Sequence, residues 1–345
     1  SRGTPRRLGL PQLRPPFGRV AAPATGYCRA AGRRSRGEGE MALPDLEQLD
    51  TTTATGVERF LAQIERARVL QRVDDAVLAP LARALDDPQL TSLLSGTWYG
   101  HPIHPPLTDV PIGAWTNAAV LDLLPGRWSR RPADLLIAMG VVAAVPTVAT
   151  GLNDWRDTGG GTRRIGVAHA LTNAVAVLLY LWSLLRRARG RRASGVLLSL
   201  LGLGTVTVGG FLGGHLAYRK GVGVDENAFA GGPSEWTAVL AFDDLPDRQL
   251  TRATVDGLAL VLYRNGGGVY ALAERCSHLG GPLSEGQVLQ DEGLVRCPWH
   301  HSTFRLADGT VVRGPASAPQ LRFETRVCDG QVEVRGARSP IATAP

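Results

Sequence analysis

Cys276-Ser277-His278-Leu279-Gly280-Gly281-Pro282-Leu283 and Cys297-Pro298-Trp299-His300-His301-Ser302-Thr303-Phe304 are the two stretches that decide the C-terminal fold of this 345-residue chain. Each opens on a cysteine and supplies a histidine two or three positions later, reading C-x-H and C-x-x-H, with residues 279–296 between His278 and Cys297. Two thiolates and two neutral imidazoles in two mirrored pairs suit a [2Fe–2S] cluster, with Cys276 and Cys297 on one iron and His278 and His300 on the other. Structural zinc also accepts two Cys and two His. Zinc fingers, however, usually group their cysteines together and their histidines together, and the interleaved order here argues against zinc.

Both stretches resemble the cluster-binding loops of the Rieske family, and Gly314-Pro315-Ala316 resembles the loop that covers the cluster from a third side. The resemblance extends over residues 236–335 and implies a small all-β domain, a [2Fe–2S] cofactor and one-electron transfer with a redox protein partner, a reductase or an acceptor. Rieske proteins of respiratory complexes carry an additional cysteine in each loop; Gly281 and Trp299 stand at those places, which moves the likeness toward Rieske ferredoxins and oxygenase-type domains. The resemblance also implies that Ser302 donates to a bridging sulfide and that Phe304 replaces a tyrosine donor, so an intermediate potential is expected. It makes His300 the more exposed ligand and the expected point of electron exchange. His follows nowhere after His301, so a mononuclear iron site of the oxygenase kind is not expected within these residues. An electron-transfer protein is expected rather than a self-contained enzyme.

The net charge of +7 invites a nucleic-acid partner, but residues 1–40 hold nine Arg and two Glu and account for all of it. From Met41 onward the chain is neutral, so no nucleic-acid partner is expected. Residues 1–40 read as a disordered basic leader or as translated sequence ahead of a start at Met41. Residues 41–106 read as a peripheral helical region, with apolar residues at helical spacing over 57–85 and a break at Pro80.

Apolar segments at 107–124, 133–152, 167–185 and 194–218 are each about long enough to cross a bilayer, and arginine-bearing breaks separate them. The expected class is therefore multi-domain α+β: a four-helix transmembrane bundle over 107–218, a linker over 219–235, the small all-β Rieske domain over 236–337 and a tail over 338–345. Multi-pass insertion in the cell membrane, with lipid as a partner, follows. The first and third inter-helix breaks hold eight Arg, against five basic residues in the second break together with Arg219 and Lys220. The positive-inside rule then places the Rieske domain on the non-cytoplasmic side.

The topology carries His101, His104, Asp109, Asn153, Asp154, Trp155, His169, Asn173 and His215 to the membrane surface that also bears the Rieske domain. The HPxHP stretch at His101–Pro105 resembles that of a bacterial membrane family of unknown function that also occurs fused to Rieske domains. Ionisable residues at membrane depth are costly and usually functional. His169 and His215 could be axial ligands of b-type haem, with Gly209, Gly210, Gly213 and Gly214 leaving room for the macrocycle. His101, His104, Asp109, His169 and His215 could instead form a quinone pocket, which would make the chain a quinone- or haem-linked oxidoreductase. A third reading is structural, with these groups bonding one another and the glycines serving helix packing.

Overall fold

The computed structural model describes residues 56–336. The leader expected at 1–40 and the tail at 338–345 lie outside the described residues. Four long helices dominate the N-terminal half: α5 (His104–Leu123), α6 (Arg130–Trp155), α7 (Gly160–Ala188) and α8 (Arg192–Lys220). Ahead of them, α1 (Gly56–Arg66), α2 (Arg68–Val73), α3 (Ala79–Arg83) and α4 (Pro88–Leu94) form a collar. A π-helical turn over Asp74–Leu78 joins α2 to α3, and Pro80 sits in the first turn of α3, where its missing N–H costs nothing. Asp87 caps α4 by accepting from Gln89 N and Leu90 N at 3.0 and 2.9 Å.

Among the described residues, α6, α7 and α8 are long and apolar enough to cross a membrane. Four spans are expected from the sequence, and α5 is the one that falls short. It is 20 residues long, but Pro105, Pro106, Thr108, Asp109, Asn117 and Asp122 dilute its apolar character. It nevertheless packs along α6 and α8. The bundle sets small residues at many of its closest helix contacts and turns many large apolar ones outward. Ala118, Ala133 and Ala176 are fully buried, whereas Leu135, Val142, Val145, Leu178 and Leu197 are more than half exposed. Lipid solvates large apolar side chains, and small residues let helix backbones approach, so this inversion is what membrane packing requires.

Glycine seats fix the helix pairing. A Cβ at Gly140 would lie 2.2 Å from Trp115 Nε1, one at Gly166 2.0 Å from Trp155 Cδ1 and one at Gly202 3.0 Å from Tyr180 Cε2. Trp115 and Tyr180 stack at 4.2 Å in mid-bundle. At the end away from the C-terminal β domain, Arg187 is closed in by Asp122, Asp134, Ser183 and Ser199.

The C-terminal half holds two antiparallel sheets. The larger runs β1 (Thr237–Ala241), β10 (Gln331–Gly336), β9 (Arg322–Cys328), β4 (Gly268–Ala273), β3 (Leu258–Asn265), β2 (Leu250–Val255). The smaller runs β5 (Gln287–Leu289), β6 (Leu294–Arg296), β7 (Thr303–Arg305), β8 (Val311–Arg313). Asn265 pairs with Gly268 across the two-residue Gly266-Gly267 turn, whose glycines suit a tight hairpin. The small sheet's core contains Leu283, Val295 and Phe304, all fully buried, beside Cys276 and Cys297. Burying Phe304 contributes roughly 1.5–3 kcal/mol.

The connection between the halves is more ordered than a spacer rich in Gly, Asn and Ala suggests. Gly221 caps α8 in the left-handed conformation, the usual helix stop. Asn227 is buried and its Nδ2 donates to Arg275 O at 2.8 Å, while Glu226 N donates to Ser277 O at 3.1 Å. The linker is thereby pinned to the first cysteine loop.

Candidate iron–sulfur centre

The first loop leaves β4 and returns through β5; the second joins β6 to β7. In the first, Gly280 N donates to Cys276 O and Cys276 N donates to Gly281 O, both at 2.9 Å. In the second, Cys297 N donates to Ser302 O at 2.9 Å. These bonds curl each loop around its own sulfur. The Cys276 sulfur accepts from the backbone N–H groups of His278 and Leu279, and the Cys297 sulfur from those of Trp299 and His300. Converging N–H groups make an anion cradle, suited to a thiolate.

Cys276 and Cys297 face each other, both buried. Their mutual hydrogen bond, and then burial, push the Cys276 thiol far up; the same bond pulls Cys297 down to about 7. Two buried thiols in contact can both ionise only with a cation between them. Gly281 is required beside them, because a Cβ there would lie 2.8 Å from Cys297 Sγ and 3.1 Å from the Trp299 ring.

The His278 and His300 rings meet edge to face at 5.1 Å, and both are half-buried. Burial lowers His278 to about 3, so its ring is neutral, the form that ligates. Its Nδ1 is buried without a hydrogen-bond partner, while its Nε2 faces Asp157 Oδ2 at 3.8 Å. A buried ring nitrogen without a partner, two residues along from a buried cysteine, suits a metal ligand, and the set of two Cys and two His fits a [2Fe–2S] cluster.

Several supporting residues carry no motif of their own. Gln320 Nε2 donates to Ala273 O at 2.7 Å and Arg275 O at 2.6 Å, and its Oε1 accepts from Ser277 N at 2.9 Å. Ser302, fully buried, accepts from Ala316 N at 2.9 Å, which ties the Gly314-Pro315 loop to the second cysteine loop. The collar reaches the same place: Thr97 Oγ1 donates to Ala316 O at 2.9 Å and Gly314 N donates to Ser92 Oγ at 3.1 Å. Asp157, in the turn between α6 and α7, is a further contact from the helical half. Sequence reading passes over Gln320, Ser92, Thr97 and Asp157, since none belongs to a spaced pair.

The bundle residues expected to converge are only partly brought together. His104 bonds Thr147 O at 3.0 Å through Nδ1 and rests against Gly151. His169 Nδ1 donates to Gly209 O at 2.8 Å, and Asn173 Nδ2 lies 3.2 Å from its Nε2. Asn153 donates to Ser95 Oγ at 2.9 Å. His101, ahead of α5, and Asp109, in its second turn, are by contrast exposed. His215 sits among Glu65, Arg219 and Lys220, toward α1.

Haem does not fit. Both ring nitrogens of His169 are engaged, and its ring occupies the seat at Gly213, where a Cβ would lie 3.0 Å from its Cε1. The space at Gly209 is taken by Asn173, with a Cβ distance of 2.5 Å to Oδ1. The glycines expected to make room for a macrocycle make room for these side chains instead.

Residues 235–332 match the family model described as the Rieske [2Fe-2S] domain, and residues 100–226 match that described as Predicted membrane protein (DUF2231). Ferredoxin CarAc of Metapseudomonas resinovorans is 33% identical over 104 residues, covering 30% of this chain and 95% of that protein. The chain belongs to the Rieske family. The anthranilate 1,2-dioxygenase ferredoxin subunit of Burkholderia cepacia is 30% identical over 101 residues, 29% of this chain and 92% of that protein. The 3-phenylpropionate/cinnamic acid dioxygenase ferredoxin subunit of Escherichia coli K12 is 33% identical over 89 residues, 26% of this chain and 82% of that protein. A Rieske domain implies a [2Fe–2S] cluster and electron transfer; the helical half, with its three apolar helices, supports a place in the membrane.

Proposed function

We propose that this chain is a membrane-anchored carrier of single electrons, with Cys276 and Cys297 holding one iron and His278 and His300 the other. The observation that carries the reading is the pair of facing buried thiols beside the partnerless His278 Nδ1. The relatives are named as ferredoxins or ferredoxin subunits of dioxygenases, which supports a redox protein, a reductase or an acceptor, as the partner.

When bound, the cluster supplies a one-electron couple within about −150 to +300 mV. The chain's own residues tune and shield it. Ser302 Oγ uses a lone pair for Ala316 N, which leaves its proton to donate into the cysteine loop and favours the reduced state. Phe304 lies in the same core without a hydroxyl, so that second donor is missing and the potential is intermediate. Leu283, Phe304 and Ala316 keep water from the sulfurs. The excess of arginine at the far end of the bundle supports a non-cytoplasmic Rieske domain. A haem-linked enzyme is not proposed, because the histidines do not accommodate the macrocycle, and no feature of the described residues favours a quinone.

The test is iron and acid-labile sulfide analysis of the purified full chain, with electron paramagnetic resonance before and after reduction. Two iron and two sulfide per chain, with the anisotropic signal of a histidine-ligated cluster on reduction by one electron, are expected. Zinc in place of iron, or a cluster with an all-cysteine signal, overturns the ligand assignment.

A further inference from the structure

Asp157 Oδ2 is a buried side-chain atom without a hydrogen-bond partner, and across the boundary between the halves it faces Nε2 of His278. Asp157 belongs to the helical half, in residues 156–159 between α6 and α7. Its other oxygen, Oδ1, lies 3.6 Å from Arg156 Nε, and Arg156 is in turn fixed by Thr91 Oγ1 at 2.9 Å and by Asp86 at 3.6 Å. The carboxylate is thus held by the collar from one side with Oδ2 left over. That leftover oxygen lies 3.8 Å from His278 Nε2, and one donor atom from each of Asp157, His278 and His300 lies within 4.8 Å of the others.

We infer that Asp157 of the membrane half is a positioning residue for the cluster: it faces the outer edges of both histidine ligands, accepts their Nε2–H and sets how readily the cluster is reduced. The inference rests on the Rieske ligand assignment above and concerns a residue outside the Rieske domain. Metal-bound imidazoles regularly donate their second N–H to a carboxylate, which orients the ring and makes it a stronger base. A contact of 3.8 Å is too long for a hydrogen bond and becomes one on a shift of under an ångström. A carboxylate at that edge strengthens the ring's donation to iron and opposes the added electron, so both effects favour the oxidised state. A free-standing Rieske ferredoxin has no such group from a second domain, and here docking against the bundle would tune the cluster.

The experiment is redox titration of the full chain, wild type against Asp157→Asn, with resonance Raman of the iron–histidine modes. Asn keeps the shape, loses the charge and is a poorer acceptor. The expected result is a reduction equilibrium about tenfold more favourable, an upward shift of about 59 mV for a one-electron couple, with altered iron–histidine modes. Asp157→Glu, which keeps the carboxylate, is expected to return the midpoint toward that of wild type, and Asp308→Asn, an exposed acid elsewhere on the Rieske domain, is expected to leave it unchanged. Midpoint and spectrum of Asp157→Asn equal to wild type overturn the inference. Should Asp157→Asn lose its cluster, Asp157→Glu decides: loss there too makes Asp157 a packing residue and overturns the inference, while a loaded cluster at the wild-type midpoint supports it. A wild-type chain without a histidine-ligated cluster fails the ligand assignment instead, so the two failures are distinguishable.

Discussion

Replacing Arg187 tests whether the end of the bundle away from the Rieske domain is clamped by charge. The Arg187 side chain is only 2% exposed and that of Asp122 is 0% exposed. Its guanidinium donates to Asp122 and to Asp134 at 2.8 Å each, to Ser199 Oγ at 2.9 Å and to Ser183 Oγ at 3.0 Å. Arg192 bridges the same two carboxylates at 2.8 and 3.0 Å. Arg187→Leu leaves Asp122 sealed at the helix ends with Arg192 as its remaining cation. Breaking a buried pair by removing one partner costs about 3–5 kcal/mol. At roughly 2–4 °C per kcal/mol for domains of comparable size, the helical unfolding midpoint falls by about 6–20 °C. Combining Arg187→Leu with Asp122→Leu removes both charges, so the double variant loses less than the sum of the single ones, with a coupling of about 0.5–3 kcal/mol. The assay is thermal unfolding in detergent, with helix content followed at one wavelength and the cluster's visible absorption at another. A midpoint for Arg187→Leu within a degree of wild type, or strict additivity in the double variant, refutes the reasoning.

Gly281→Ala places a methyl group 2.8 Å from Cys297 Sγ, and iron per chain in the purified variant is expected to fall by half or more without loss of helix content. Ser302→Ala removes the hydroxyl that binds Ala316 N; the midpoint potential is expected to fall by several tens of millivolts, corresponding to about 1 kcal/mol for one hydrogen bond, and redox titration reads it. Phe304→Tyr adds a donor in the same core, and the midpoint is expected to rise by a similar amount if the ring keeps its place. A wild-type midpoint of +250 mV or above is incompatible with the missing donor at Phe304.

The readability of this chain follows the range of the interactions. The cysteine and histidine ligands stand out because metal chemistry imposes both residue type and spacing. Strands β3, β4, β9 and β10 stand out as short runs rich in β-type residues. Strands β5, β7 and β8 have three residues each, too short for a period, and they form because the cysteine loops must close on themselves. α5 reads as a span from its apolar end, 110–123, while its start, with Pro105, Pro106 and Asp109, belongs to the surface. The glycines near His169 read as a cavity, since a sequence shows an absent side chain and not its neighbour's ring filling the gap.

What the sequence conceals altogether is the docking of the two halves, because no pattern links residues more than a hundred positions apart. Ser92 and Thr97 hold the Gly314–Ala316 segment, and Asp157 stands before the histidine rings. All three contacts land on the loops that carry or cover the cysteines and histidines, and none lands on the outer faces of the large sheet. The histidine edge, which a free-standing carrier would offer to its partner, is therefore turned toward the bundle. Trp299, 54% exposed and in ring contact with His300 at 6.3 Å, is a part of the cluster rim that still faces outward, next to exposed His301. A partner that meets the docked form consequently has to approach along the Trp299 side, since the other approach is occupied by the chain's own helices. Trp299→Ala is then expected to slow reduction by an added ferredoxin reductase several-fold while leaving the midpoint potential in place. Unchanged reduction kinetics would mean that the domain leaves the bundle before it exchanges electrons.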